Sequence, residues 1–112
     1  MTSFSTHILD TARGRPAEGV PVSFAVWAND GWQRLGEAAV TGPDGRATAL
    51  PEVKTDSVLS CRLVFAVAEY LVTHHGAAFY PEITIEFAAQ PGEHYHLPLL
   101  LTPFGYATYR GS

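Results

Sequence analysis

The chain ends in four residues, Tyr109-Arg110-Gly111-Ser112, that offer a phenol, a guanidinium and a free carboxylate to a small polar ligand. They follow an apolar and aromatic run over residues 97–106, whereas most domains end in polar residues that fray in solvent. The sequence therefore predicts ordered structure as far as the final carboxylate. The alternative is a last strand that only completes a sheet and leaves Arg110 in solvent.

Two histidines, His7 and His96, lie in segments whose residues alternate as they do in β-strands. Because successive side chains of a strand point to opposite faces, alternate residues from Tyr95 to Leu101 form a core face and His96 lies on the outer face. The same alternation turns His7 away from the core. Leu9 and Leu100 share these outer faces, which indicates a surface that meets a partner subunit and encloses polar groups. For each histidine taken alone, the alternative is an exposed strand residue.

Other site chemistries fit the sequence less well. His94 and His96 form a His-x-His pair that, together with His7, would supply three ligands to a catalytic zinc ion. This spacing is common by chance, and no carboxylate is evidently placed to orient the ligands, so a metal-free site is favoured. Cys61 is not expected to act as a nucleophile, because it shares the core face of its strand.

Composition and charge exclude several classes of protein. We expect a single domain over residues 1–112, and the net charge of −4 with a pI near 5.6 argues against a nucleic-acid partner. No apolar run is long enough to cross a bilayer and the first residues do not resemble a signal peptide, so a soluble, cytoplasmic protein with no membrane partner is expected. Apolar residues make up 46% of the chain and charged residues only 16%, which favours burial of part of the surface against another copy.

The elements that must position these residues are short strands separated by Gly, Pro, Asn and Asp. Strands are predicted over Phe4 to Asp10, Val20 to Ala28, Gln33 to Thr41, Ala47 to Leu50, Cys61 to Ala66, Glu82 to Phe87, His94 to Leu101 and Gly105 to Arg110. Apolar residues at helical spacing, followed by Gly76, predict a short helix over Val67 to His75. Eight strands and one helix fit an all-β sandwich of two four-stranded sheets.

Four separated motifs resemble those of the 5-hydroxyisourate hydrolases, the transthyretin-related enzymes of purine breakdown. They are the opening over residues 5–17, the turn Asp44-Gly45-Arg46, the segment His94-Tyr95-His96-Leu97-Pro98-Leu99-Leu100-Leu101 and the ending Tyr109-Arg110-Gly111-Ser112. They occur in the order of the family and cover essentially the whole chain. The last motif sets the hydrolases apart from the transthyretin hormone carriers.

The resemblance implies a transthyretin-like sandwich, four copies that enclose a channel lined by the outer sheet faces, and no cofactor or metal. The implied reaction is the hydrolysis of 5-hydroxyisourate to 2-oxo-4-hydroxy-4-carboxy-5-ureidoimidazoline in urate breakdown. The site residues that carry over are His7, Arg46 and His96, and the terminal Tyr109, Arg110 and Ser112.

The chemistry of these side chains suggests their roles. His7 and His96 would position and deprotonate the attacking water, with the division between them left open, because a histidine pKa of about 6.5 suits proton transfer at neutral pH. Arg46 would clamp substrate oxygens and stabilise the charge that develops on the carbonyl. Residues 109–112 would close the site, with their tyrosine as a wall or a hydrogen-bond donor.

Three rival interpretations make different predictions. A transthyretin-like carrier would hold a small aromatic ligand in the same channel without catalysis, although such pockets are mostly apolar. An immunoglobulin-like interaction module would be largely monomeric and have no small-molecule pocket. A zinc hydrolase would lose its activity to chelators.

Overall fold

The computed structural model describes every residue from Met1 to Ser112. Nine strands and one helix follow along the chain: β1 (Ser3–Asp10), β2 (Arg15–Pro16), β3 (Pro21–Ala28), β4 (Gly31–Val40), β5 (Arg46–Ala47), β6 (Leu59–Phe65), α1 (Ala68–His75), β7 (Ile83–Ala89), β8 (His94–Thr102) and β9 (Gly105–Thr108). The strands form two sheets that share one core. This architecture confirms the predicted all-β sandwich with one short helix.

The first sheet is built around β1. On one side β8 pairs with β1 in parallel, and β9 continues the sheet antiparallel to β8. On the other side β1 pairs with the two-residue strands β2 and β5. The sheet therefore has five strands where four were expected, because the chain after β1 folds back as the additional strand β2. The strand predicted over 47–50 is replaced by the shorter β5.

The second sheet has the strand order β4-β3-β6-β7, and each pair of neighbours is antiparallel. Its β3–β4 hairpin turns at Asn29 and Asp30, whose φ angles are 54° and 62°. Two left-handed residues in succession match the twist of the flanking strands, and Asn and Asp tolerate this conformation better than most residues. The turn lies between the strands that were predicted over 20–28 and 33–41, where Asn and Asp separate them.

The core lies between the sheets and follows the alternation of the strands. In β1, Phe4 and Ile8 are buried, and in β8 the buried residues include Tyr95 and Leu99. The intervening side chains of β1 are only half-buried. This pattern confirms that His7 and His96 point away from the core, and both are half-buried on the outer face.

The helix α1 packs against the end of β1. Its residues Tyr70 and Leu71 are buried, and it ends at Gly76, which has a left-handed φ of 80°. Neither α1 nor any other part of the chain forms a helix with the length and apolar character needed to cross a membrane.

A buried carboxylate joins α1 to β1. Asp10 accepts hydrogen bonds from the Tyr70 hydroxyl (2.8 Å), from His75 Nε2 (2.8 Å) and from the backbone N–H groups of Ala12 (3.1 Å) and Arg13 (3.0 Å). Burial alone would raise the pKa of Asp10, but the hydrogen bonds from His75, Tyr70 and Arg13 outweigh it and lower the pKa below 3.8. The carboxylate is therefore a fully bonded structural group.

Candidate active site

Three strands of the first sheet bring His7, Arg46 and His96 together on its outer face. The pairing of β5 with β1 sets Arg46 opposite His7, and the pairing of β8 with β1 sets His96 opposite Ser5 and Pro98 opposite His7. Because paired residues of neighbouring strands point to the same face, the sheet register alone produces the cluster. It joins residues that lie far apart in the sequence.

The turn before β5 determines where Arg46 lies. Gly45 has a φ of 77°, and a Cβ there would collide with the carbonyl oxygen of Ile8 and lie 2.9 Å from the Cβ of Pro16. The Ile8 N–H donates to the Gly45 carbonyl over 2.8 Å. Only glycine permits so close an approach in this conformation, and the turn therefore holds β5 against β1 with the Arg46 side chain exposed on the outer face.

The two histidine rings differ in how they are held. Nδ1 of His96 shares a hydrogen bond of 2.8 Å with the Ser5 hydroxyl. Nε2 of His96 and both ring nitrogens of His7 have no hydrogen-bond partner within the chain. These three nitrogens are therefore available to a ligand, and the His96 ring is the better oriented of the two.

The surroundings of His96 favour its neutral form. Burial lowers the pKa of His96 below 6.5, and the positive charges of Arg46, His7 and His94 lower it further. The carboxylate of Asp44 lies 3.9 Å from Nε of Arg46 and is the acidic group paired with this cluster. A neutral imidazole at neutral pH can accept a proton from water, which suits a general base.

A chain of hydroxyl groups and imidazoles continues from His96 across the outer face. The Ser5 hydroxyl also bonds Nε2 of His94 over 2.9 Å, and Nδ1 of His94 bonds the Ser3 hydroxyl over 2.7 Å. His94 is exposed, whereas Ser5 is half-buried. The sequence had indicated His94 only as a metal ligand, and no role was expected for the two serines, although alternation from His7 places both on its face.

The C-terminal segment lies against the His96 end of the site. The backbone N–H of Gly111 donates to the His96 carbonyl over 2.7 Å, and this bridge keeps the register by which β9 pairs with β8. A Cβ at Gly111 would lie 2.7 Å from Cδ2 of His96 and 3.3 Å from Cγ of Pro98. The bridge bears out the predicted order of the ending as far as Gly111, and the glycine is needed for its contact with the ring.

The structure places Arg110 on the other side of the sheet. Its guanidinium lies 4.3 Å from the centre of the Tyr95 ring and donates to Glu93 over 3.2 Å. The register that pairs Gly111 with His96 sets Arg110 beside Leu97, which faces the core. Alternation along the last residues would have revealed this direction. Within one chain, Arg110 does not join the histidines, and substrate contact by Arg110 stays a prediction.

The remaining predicted site residues lie at the margin of the cluster. Tyr109 takes the register position opposite Pro98 and is 57% exposed. Ser112 is exposed and follows Gly111 directly. A cavity of about 430 Å³ at the sheet edge is lined by Tyr109 and Arg110 and by residues of β7 and β8, but not by His7 or His96. The histidine cluster is thus an open face of the single chain.

The three histidines considered as zinc ligands do not form a metal-binding group. His7, His94 and His96 are not arranged so that three side chains converge on one point. Both nitrogens of His94 and Nδ1 of His96 are bonded to serine hydroxyls. The Cys61 thiol is buried in the core, and burial raises its pKa to about 11, so it is unsuited to act as a nucleophile.

Comparison with known proteins finds relatives that match almost the whole chain. A 5-hydroxyisourate hydrolase of Salmonella dublin is 41% identical over 109 residues, which cover 96% of this chain and 79% of the relative. The solved structure of a Klebsiella pneumoniae 5-hydroxyisourate hydrolase matches with a TM-score of 0.79 and 33% identity, covering 98% of this chain and 99% of that one.

Transthyretins share this fold with the hydrolases. The transthyretin of Sparus aurata matches with a TM-score of 0.87 and 28% identity, over 96% of this chain and 95% of that one. The sequence profile described as the HIUase/Transthyretin family matches residues 4–111. On these matches, and on the two-sheet fold that carries the cluster, the chain belongs to the HIUase/Transthyretin family.

Proposed function

We propose that this protein hydrolyses 5-hydroxyisourate to 2-oxo-4-hydroxy-4-carboxy-5-ureidoimidazoline, with residues 1–112 acting as a single domain and with no metal or cofactor. The observation that carries the proposal is the convergence of His7, Arg46 and His96 on one outward face. Relatives named 5-hydroxyisourate hydrolase that match almost the whole chain support the choice of substrate.

His96 is the proposed general base. Its Nδ1 is held by Ser5 and its low pKa keeps it neutral, so Nε2 takes a proton from the attacking water. The hydroxide adds to a ring carbonyl, and the negative charge that develops on the carbonyl oxygen faces the Arg46 guanidinium. The carbon–nitrogen bond of the amide then breaks, and His96 returns the proton to the leaving nitrogen. His7, beside Arg46, binds and orients the planar substrate.

The terminal residues close the site in this proposal. Tyr109 lies at a register position on the histidine face, where its hydroxyl can donate to the substrate. Ser112 is exposed and follows Gly111, which lies against the His96 ring. Arg110 anchors the segment through Tyr95 and Glu93, and its predicted contact with substrate requires a change of rotamer or a second copy.

The open face is best explained by assembly, and we propose a cytoplasmic homotetramer with its sites between subunits. The strands β7 and β9 are unpaired edges of their sheets, where another copy can add strands. Four exposed aromatic rings contact one another beside β9, with ring centres 4.9 to 6.0 Å apart: Phe79, Tyr80, Phe104 and Tyr106. Sedimentation should show four chains, and a fully active monomer would refute a shared site.

The direct test follows the ultraviolet absorbance of freshly made 5-hydroxyisourate with and without the protein. The proposal predicts faster decay in proportion to protein concentration, unchanged by a chelator. A transthyretin-like carrier would bind the compound and leave its decay rate unchanged or slower. A zinc hydrolase would lose its effect when the chelator is added.

A further inference from the structure

The hydrogen-bond chain on the outer face links His96 to an exposed second imidazole through one hydroxyl group. Ser5 Oγ lies 2.8 Å from Nδ1 of His96 and 2.9 Å from Nε2 of His94, and Ser3 Oγ lies 2.7 Å from Nδ1 of His94. These are normal lengths for hydrogen bonds. The chain of contacts is therefore continuous from His96 to Ser3.

A hydroxyl group has one proton, and this couples the two rings. If Ser5 donates to His96, then Nδ1 of His96 carries no proton and Nε2 of His94 must donate to Ser5. If Ser5 donates to His94, then Nδ1 of His96 carries the proton and its Nε2 is a free acceptor. Only the second arrangement leaves His96 ready to take a proton from water at the open nitrogen.

The charges around the two rings favour movement of a positive charge from His96 to His94. His96 is half-buried and has Arg46 and His7 as cationic neighbours. His94 is exposed, so water can solvate a positive charge there. An imidazolium at His96 would therefore cost more than one at His94.

Building on the proposed hydrolysis, we propose that His94 is a positioning residue that, through Ser5, fixes the tautomer of His96 and accepts the proton that His96 would otherwise hold. As Nε2 of His96 takes a proton from water, Nδ1 of His96 passes its proton to Ser5 Oγ, and the Ser5 hydroxyl proton moves to Nε2 of His94. His94 becomes the imidazolium, held at Nδ1 by Ser3, and His96 stays neutral. The reverse movement returns a proton from Nε2 of His96 to the leaving nitrogen.

Replacement of the connecting hydroxyl tests the proposal. Ser5→Ala and His94→Phe should each lower kcat by about tenfold or more and change KM much less, because neither side chain binds substrate. Ser5→Thr keeps a hydroxyl group on a strand position that suits a β-branched residue, and it should restore most of kcat. Ser60→Ala removes an exposed strand hydroxyl from the other sheet, and it should match the unchanged protein.

The ring nitrogens give a measurement that does not depend on activity. ¹⁵N NMR of the histidine rings should show His94 and His96 titrating as a coupled pair in the unchanged protein, with Nδ1 of His96 protonated when both are neutral. In Ser5→Ala the two titrations should become independent, and in Ser5→Thr the coupling should return.

The outcomes separate this proposal from the proposed function. If the protein speeds the decay of 5-hydroxyisourate but Ser5→Ala leaves kcat or the histidine titrations unchanged, the role of His94 is refuted and hydrolysis stands. Equal loss in Ser5→Ala and Ser5→Thr also refutes it, since the hydroxyl would not matter. If the titrations are coupled but the decay is not accelerated, the proton sharing is supported and the hydrolase assignment fails.

Discussion

Two hydrogen-bonded histidine networks begin at β1, and they differ in burial and charge. At its C-terminal end, Asp10 is fully buried and binds His75, Tyr70 and two backbone N–H groups. On its outer face, Ser5 joins His94 to His96 with no carboxylate in the chain of hydrogen bonds. The first network contains an anion whose bonds are satisfied, whereas the second contains only neutral or cationic groups.

This difference explains why one network is structural and the other suits chemistry. The Asp10 carboxylate accepts four hydrogen bonds, all from groups of the protein, and so has no position left for a ligand. On the outer face, burial and then the neighbouring positive charges lower the pKa of His96, and its Nε2 has no partner within the chain. A histidine in a protein is therefore better judged by the charge and openness of its partners than by the number of its hydrogen bonds.

The largest expected effect is on stability, at the buried network. Asp10→Ala should lower the free energy of unfolding by about 3 to 5 kcal/mol, because it leaves buried donors without an acceptor. Asp56→Ala, at an exposed loop carboxylate, should change it little. Urea denaturation at one protein concentration measures both. Loss of kcat in the fraction of Asp10→Ala that remains folded would contradict a purely structural role.

The same carboxylate should give the protein an acid-sensitive stability. Because folding lowers the pKa of Asp10 below 3.8, its contribution is complete above that pH and is lost as the pH falls through the folded-state pKa. The unfolding free energy of Asp10→Ala should therefore depend less steeply on pH in this acid range. Parallel pH curves for the variant and the unchanged protein would show that Asp10 is not responsible.

Replacement of the proposed base should lower turnover and leave stability nearly unchanged, which is the opposite of the effects expected for Asp10→Ala. His96→Ala should lower kcat/KM by about 100- to 1000-fold, or around 3 to 4 kcal/mol, and leave the free energy of unfolding within about 1 kcal/mol. His74→Ala, at an exposed histidine of α1 that is far from the cluster in sequence and lies on another element, should leave kcat/KM unchanged. The decay assay and urea denaturation provide the two numbers. Near-normal turnover by His96→Ala would exclude His96 as the base.

A smaller effect is expected where the terminal segment touches the ring. Gly111→Ala places a methyl group 2.7 Å from Cδ2 of His96, so the ring or the segment must move, and kcat/KM should fall by about tenfold. Gly105→Ala is a matched control, because its Cβ would lie 3.5 Å from the Thr102 hydroxyl at ordinary contact distance. Equal activity in the two variants would show that the contact with His96 has no role in turnover.

The sequence predicted the parts of the site that follow from local alternation. The outward directions of His7 and His96 required only the two-residue period of a strand, and the turn at Asn29 followed from residue preference. The pairing of Arg46 with His7 could not be obtained in this way. It depends on the approach of Gly45 to Ile8, a contact between segments that no local pattern encodes.

Two other features of the site were not predicted from the sequence. The bond between Ser5 and His94 depends on parallel pairing of β1 with β8, whose register comes from the packing of both strands in the core. Alternation along the last residues predicts that Arg110 points away from the histidines. Arg110 was nevertheless expected beside them, because residues 109–112 were expected to close the site. The packing on Tyr95 and the bond to Glu93 instead hold Arg110 at the sheet edge.

The last and smallest expected effect concerns the charges that, in addition to burial, lower the pKa of His96. The groups facing it are Arg46 on β5, His7 on β1 and His94 on β8, with Asp44 partly offsetting Arg46. Arg46→Gln should raise the pKa of His96 toward 6.5, and the acid limb of the remaining kcat/KM should move to higher pH, because His96 must be neutral to accept a proton. Arg34→Gln removes the same charge from the other sheet and should leave the titration unchanged. NMR titration of His96 measures the shift directly, and an unaltered midpoint in Arg46→Gln would mean that the charge of Arg46 does not lower the pKa of His96.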